Sequence, residues 1–256
     1  MSNRDLSFPL VEQSVDRLVV LKTATSTNAE IKNFLDDGDI VALITDHQTK
    51  GRGRLDRTWV TKPGESIALS LAFPWSSDDH ERSGSWVSLL VGATLVRVLH
   101  RHGLGKASLK WPNDVVVGQK KLAGILCEWV PDGCMIVGVG LNVDFSIDEP
   151  PSPRATALGH HVAVKDGLVD SLLAELVGAL GVGLEGLRTE FPEATAAAVS
   201  AVVGTLGRSV EVQEPSGATW RGVAQGLDES GHLLVMPDGS SELRVVVASD
   251  IEHLYQ

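Results

Sequence analysis

Apolar and small residues alternate strictly over residues 66–73. Ile67, Leu69, Leu71 and Phe73 fall on one side, and Ser66, Ala68, Ser70 and Ala72 on the other. A period of two over this length predicts a strand whose small face leaves room for a ligand or a packed helix. Residues 18–21 and 40–45 read as shorter strands, 122–130 and 135–143 as longer ones. The period becomes helical at 85–101 and again from 167 to about 187, where Leu168, Val169, Leu172, Leu173, Leu176, Val177 and Leu180 share a face. An alanine-rich helical piece follows Pro192. Thr27 with Glu30 three residues on has the pattern of a capping box, predicting a helix from Asn28 to about Leu35 that stops at Asp36-Asp37-Gly38. Leu109-Lys110-Trp111 and residues 115–117 bracket a turn at Pro112-Asn113-Asp114.

Near Gly204 the character changes. Short β-rich runs at 209–213, 220–224, 233–236 and 243–247, separated by Gly, Asp and Pro turns, predict a small β-barrel. The predicted organisation is therefore a flexible lead over 1–17, a main domain over 18–203 and a β domain over 204–256.

Composition narrows the function. With 43% hydrophobic and 21% charged residues the chain is ordinary globular material, and its net charge of −11 speaks against a broad basic face for DNA. No apolar run approaches the roughly 18 to 20 residues of a membrane span. Residues 1–13 are polar and lack the apolar centre of a secretory signal. Cys127 and Cys134 sit in apolar surroundings and read as buried thiols of a cytoplasmic protein. The histidines show no metal-ligand spacing, and His160-His161 reads as a surface pair.

Against this acidic background one loop is cationic. Lys50, Arg52, Arg54, Arg57 and Lys62 face a single anion, Asp56, and Gly51 and Gly53 are interleaved with the arginines just before Trp59. Glycines let backbone approach a ligand, arginine forks suit carboxylate or phosphate oxygens, and an indole offers a flat apolar face. The spacing is neither a Walker loop nor a dinucleotide fingerprint. By itself the loop implies an anionic small ligand.

A second motif sharpens the reading: Leu109-Lys110-Trp111-Pro112-Asn113-Asp114, followed by Lys120-Lys121-Leu122-Ala123-Gly124-Ile125-Leu126. Together with the Gly51–Trp59 loop, Ser26-Thr27-Asn28, Gln48 and Gly138-Val139-Gly140-Leu141-Asn142, the chain closely resembles the biotin–protein ligases from about Leu18 onward. The resemblance implies an α+β fold: a class II synthetase-like catalytic domain of the biotin–lipoate ligase type, a mixed sheet with helices, plus a small C-terminal SH3-like barrel. Many bacterial relatives also carry an N-terminal helix-turn-helix domain. The short stretch before Leu18 predicts the monofunctional form, without DNA as a partner.

The resemblance further implies two steps. Biotin and ATP give biotinyl-5'-AMP, and the acceptor lysine of a biotin carboxyl carrier domain then takes the biotin. Two anions meet in the first step, so positive charge must be supplied there. By match to the family's motifs, Arg54 and Lys121 flank the biotin carboxylate and the α-phosphate, with Lys110 nearby and Arg52 ordering the loop. Ser26, Thr27, Asn28 and Gln48 face the ureido ring, with Gly51, Gly53 and Gly124 along the ligand. Arg57, Trp59, Asn113 and Asn142 belong to the adenylate end, Asn142 toward adenine. Asp114 is the carboxylate for Mg²⁺ brought by ATP or for orienting the cations, and no protein metal cage is implied. An Asx turn is the structural alternative for Asp114, and Trp111 is as well suited to a core as to a ligand. The glycine-rich loop is expected to be mobile without ligand and ordered with the adenylate.

Two other functions fit the fold. A lipoate or octanoate ligase or transferase would carry an arginine-bearing glycine-triplet motif that is absent, and would need no polar set for a ureido ring. A biotin sensor without catalysis would need neither Lys121, Arg54 nor Asp114.

Overall fold

A computed structural model describes residues 6–254 apart from 37, 56, 132, 146–149, 190–192, 215 and 248–249. Expectations resting on Asp37, Asp56 and Pro192 lie outside these residues. The chain begins with a short helix α1 (Pro9–Glu12), followed by β1 (Arg17–Val20), α2 (Thr27–Glu30) continued by a 3₁₀ turn (Ile31–Phe34), β2 (Val41–Thr45) and β3 (Ser66–Pro74). Next come α3 (Ser77–Ser83), α4 (Val87–Arg101), β4 (Ala107–Lys110), β5 (Asp114–Val117), β6 (Lys120–Val130) and β7 (Cys134–Asn142). Helices α5 (Leu168–Thr189) and α6 (Glu193–Ser200) lead to β8 (Ser209–Gln213), β9 (Thr219–Leu227), β10 (Leu233–Pro237), β11 (Arg244–Val246) and β12 (Asp250–His253).

The first seven strands form one mixed sheet in the order β1-β2-β3-β7-β6-β5-β4, in which β1 and β2 are parallel and the other pairs antiparallel. The last five form a separate antiparallel sheet, β11-β10-β9-β8-β12. The β4 edge of the large sheet is covered at Leu109, whose N–H donates to Val202 O and whose O accepts from Gly204 N–H, so the segment leading into the second sheet caps it there.

Alternation decides what each face of the large sheet does. Leu69, Leu71, Ile125, Val137 and Val139 join α4 and α5 in the main core. Helix α4 fits because eleven of its fifteen residues are buried, and because Gly92 lets it approach β4, where a Cβ would lie 2.5 Å from Leu109 Cδ1. Each fully buried Leu or Val there contributes on the order of 1.5–3 kcal/mol. On the opposite face Ile31, Val41, Leu43, Ala72 and Ile136 make a smaller cluster beneath α2. Further along that face the side chains shrink, and there the candidate site lies.

Two expectations need correction. The flexible lead-in fails for α1: Phe8 and Val11 are buried, and the Leu10 and Val11 N–H groups donate to the Asp170 carboxylate of α5 at 3.0 and 3.1 Å. The Thr27–Glu30 capping box also does not form, because Thr27 is already helical and Ser26 is the N-cap. Glu30 instead accepts from the Thr25 N–H and hydroxyl, so the side chain ties the turn one residue earlier.

Candidate functional site

Strand register builds the floor of the site. Ala68 pairs with Gly140, which pairs with Gly124; Ser70 pairs with Gly138, which pairs with Leu126. Directly opposed residues share a face, so two rows of small side chains run across three strands. Each β7 glycine seats a side chain from elsewhere. A Cβ on Gly138 would lie 2.3 Å from Asn28 Oδ1, and one on Gly140 2.3 Å from the Trp59 indole. The resulting cavity of about 40 Å³ is lined by Ser26, Thr27, Gln48, Arg52 and Asn113 as well as Asn28, Trp59 and the floor.

The polar end is internally ordered. Gln48 Oε1 accepts from the Thr27 N–H at 2.8 Å and from its hydroxyl at 3.2 Å, while the Gln48 N–H donates to Thr61 Oγ1. Asn28 Nδ2 donates to Leu126 O at 3.1 Å and to Glu128 Oε2 at 2.7 Å, and Asn28 Oδ1 accepts from Ser70 Oγ at 2.6 Å.

The cationic loop has its own framework. Gly53 N–H donates to Arg57 O, Arg57 N–H to Arg54 O, and Trp59 N–H to Gly51 O at 3.0 Å, with Leu55 in the left-handed region at φ 53°. Gly51 is required, since a Cβ would lie 2.3 Å from Trp59 O. These bonds tie the described part of the loop to itself and place Arg52 and Trp59 over the floor. Arg52 reaches β6, where Nη2 donates to both oxygens of Glu128 at 3.0 and 3.1 Å. Arg54 lies elsewhere. It lines an adjoining cavity of about 270 Å³ between the two sheets, with Ser88, Trp111, Cys127 and His232. Arg57 is exposed.

At the other end, Lys121 Nζ lies 2.6 Å from Asp114 Oδ1 and 5.4 Å from the centre of the Trp59 ring. The ammonium is thus between a carboxylate and an aromatic face. Its strand is fixed by backbone bonds to Arg154 O and from the Thr156 N–H. Asn142 is buried and donates from Nδ2 to Lys121 O and Thr156 O, which braces the same junction. Asn113 donates to Ile125 O at 2.7 Å. Burial pushes the Lys110 ammonium below its ordinary range, and Asp114 partly opposes this. Trp111 is 3% exposed; its N–H donates to Thr205 Oγ1 and its indole to Gly231 O, both at 3.0 Å.

Both cysteines are free thiols, and burial pushes Cys127 up to about 12. His160 and His161 are exposed. Among the described residues no group of three His, Cys, Asp or Glu could hold a metal ion, and no helix is long and apolar enough to cross a membrane. Sequence reasoning missed Glu128. It reads as one more polar residue on a strand, and nothing local announces that Asn28 and Arg52 converge on it.

A glycine-floored pocket on a mixed sheet, with Arg52 of the cationic loop in its wall and the Lys121–Asp114 pair next to Gly124, has the charge and the flat floor to take a small carboxylic acid. Comparison with known proteins agrees. Residues 20–144 match the biotin/lipoate A/B protein ligase family, and residues 205–254 match the biotin protein ligase C-terminal domain. The chain is 33% identical over 272 residues to the biotin–[acetyl-CoA-carboxylase] ligase of Mycobacterium tuberculosis, covering 99% of this chain and 100% of that protein. It is 34% identical over 133 residues to the bifunctional ligase/repressor of Escherichia coli, a match that covers 49% of this chain and 40% of that protein. A solved structure of the Aquifex aeolicus biotin protein ligase in complex with biotin and ATP superposes with a TM-score of 0.78 at 26% identity, covering 93% of this chain and 100% of that one.

The chain belongs to the biotin/lipoate A/B protein ligase family and, within it, to the biotin protein ligases, ATP-dependent enzymes of biotinylation.

Proposed function

We propose that the chain runs the two-step reaction with its own residues as follows. A carboxylate oxygen of biotin attacks the α-phosphorus of ATP; the bond to the β-phosphate oxygen breaks, and pyrophosphate leaves. The acceptor lysine amine then attacks the acyl carbon of the mixed anhydride, AMP departs, and the amine proton is lost to solvent. Lys121 stabilises the charge that gathers between carboxylate and α-phosphate, held in position by Asp114 2.6 Å away. Lys110, kept half-buried, adds to the same positive field. The Ser26–Asn28 turn and Gln48 form the ureido end, Gly124 and Gly140 let the apolar part of biotin lie against the sheet, and Arg52 closes the side. Arg54 and Arg57 take the phosphate end, and Asn113 and Asn142 support the nucleotide side.

The observation that carries this reading is the Lys121–Asp114 pair beside a glycine floor that a single Cβ would fill. Among the described residues no group of three His, Cys, Asp or Glu could cage a metal, so a Mg²⁺ would come with the nucleotide. Asp114, whose Oδ1 is paired to Lys121, is the carboxylate we assign beside it, and the ion would neutralise the departing pyrophosphate. The acceptor is a biotin carboxyl carrier domain of a biotin-dependent carboxylase. Two free thiols and the use of ATP suit a cytoplasmic setting.

The decisive assay measures pyrophosphate release with biotin, with lipoate or with neither, then transfer of labelled biotin to a purified carrier domain. Release dependent on biotin, followed by labelling of one carrier lysine, is expected. Dependence on lipoate would replace the reading with the related ligase, and tight biotin binding without pyrophosphate release would leave only a sensor.

A further inference from the structure

Glu128 lies on the pocket face of β6, two residues beyond Leu126, and none of the reaction chemistry above uses it. Its carboxylate collects hydrogen bonds from two separate walls of the pocket: Arg52 from the cationic loop and Asn28 from the first turn of α2. The two walls differ in firmness. Asn28 is 4% exposed, both hydrogens of its amide are committed to Leu126 O and Glu128, its oxygen is taken by Ser70, and Gly138 leaves it no slack. It is a fixed post. The Arg52 side chain is 48% exposed and belongs to a loop that crosses above the floor. Glu128, 24% exposed, is oriented by the post and presents both oxygens to the loop.

We propose that Glu128 is a positioning residue that clamps the 51–59 loop, through Arg52, to the fixed Asn28 wall, and thereby sets how long biotinyl-adenylate is held. This rests on the ligase reading for its ligand, while the clamp itself is made of protein atoms alone. Charge-assisted bonds to a carboxylate are roughly twice as strong as neutral ones. Removing only the charge should therefore loosen the loop while leaving an acceptor oxygen for Asn28.

Glu128→Gln is the probe, with Arg52→Gln as its partner and the double variant to close the cycle. In the ligand-free protein, trypsin cleavage after Arg54 or Arg57 should be roughly fivefold faster in Glu128→Gln at an unchanged Tm. With labelled biotinyl-AMP preloaded, release into a chase of unlabelled biotin and ATP should speed up by roughly five- to tenfold, while the single-turnover rate of adenylation changes less than the release rate does. Arg52→Gln should match it, and the double variant should release no more than about twofold faster than either single one. A purely structural role would move Tm and not this split. Unchanged cleavage and release in Glu128→Gln would overturn the clamp, as would effects that multiply fully in the double variant. If Glu128→Gln fails to fold, Arg52→Gln decides alone, from the exposed side of the pair, and native-like release would overturn the proposal. A native protein without biotin-dependent pyrophosphate release would sink the ligase reading instead, and the ligand-free cleavage comparison would still judge the clamp.

Discussion

Trp59 and Trp111 each belong to a motif that carries the family resemblance, yet the structure uses them in opposite ways. Trp111 is a strut. Its N–H and indole bind Thr205 and Gly231, residues on the far side of the junction with the second sheet, and Trp86 adds a parallel bond from its indole to Glu229 O at 2.7 Å. Gly231 lets the turn press in, at φ 75° and with a would-be Cβ 2.8 Å from Leu89. Trp59, half-buried, lies on Gly140 with an indole N–H that has no hydrogen-bond partner among the described residues. An indole whose polar atom is satisfied on a rigid neighbour stays where it is; one resting on a glycine with its polar atom unmet loses little by moving. The Trp59 indole lines the candidate pocket and covers Gly140, so an occupant lying against that glycine would have to displace the ring. We infer that Trp59 is a displaceable wall and Trp111 a fixed joint.

The largest expected effect breaks the joint. Trp111→Ala should cost about 3–5 kcal/mol by emptying a buried site and stranding Gly231 O, lowering Tm in calorimetry. Trp59→Ala should cost only about 1 kcal/mol and appear chiefly as weakened biotin binding. Equal losses of Tm would erase the distinction.

Next in size is Lys121→Ala, on the movable side of the comparison. Its ammonium faces both Asp114 and the Trp59 ring, so its removal should slow adenylation by roughly 10²–10³-fold, much more than it weakens biotin binding without ATP. Loss of biotin binding with normal turnover at saturation would assign the lysine to the wrong half of the reaction. Tm should hardly change, since the side chain is more than one-third exposed.

The same contrast explains what could be read from the sequence. Strand β3 was legible because, with both faces buried, one packs large side chains into the main core while the other stays small, and Ala68 and Ser70 of that small face lie at the candidate site. Helices α4 and α5 were legible from their long apolar repeat, although the sequence began α4 two residues early, within a 3₁₀ turn at Gly84–Trp86. Helix α3 was not, because Ser77–Ser83 is almost wholly polar and is held by a Ser76–Asp79 capping box rather than by an apolar stripe. Nor was β12, whose four residues Asp250–His253 carry little apolar pattern. The candidate site residues stood out as types, since arginines and lysines in an acidic chain announce charge and interleaved glycines announce close approach. Their partners did not: Asn28 meets Gly138 and Glu128 across a hundred residues of chain, and no local spacing encodes a register between β3, β6 and β7. Arg54 shows the same limit, since its motif suggested the biotin carboxylate while its side chain lines the cavity between the sheets.

The smallest expected effect is the sharpest test, because it alters one atom group at each tryptophan. Replacing each with Phe keeps most of the apolar surface and deletes the indole N–H. At Trp111 the deletion leaves Gly231 O without its donor inside a buried junction, which should cost about 1–3 kcal/mol beyond the change in packing. At Trp59 the indole N–H has no partner among the described residues, and shedding an unmet polar atom offsets the lost ring contacts, so stability should stay within about 0.5 kcal/mol of the native protein. Denaturant midpoints at constant slope would report both. If Trp59→Phe proved as costly as Trp111→Phe, Trp59 would have a partner in solution that fixes it, and the movable wall of the pocket would have to be sought in the Gly51–Gly53 backbone instead.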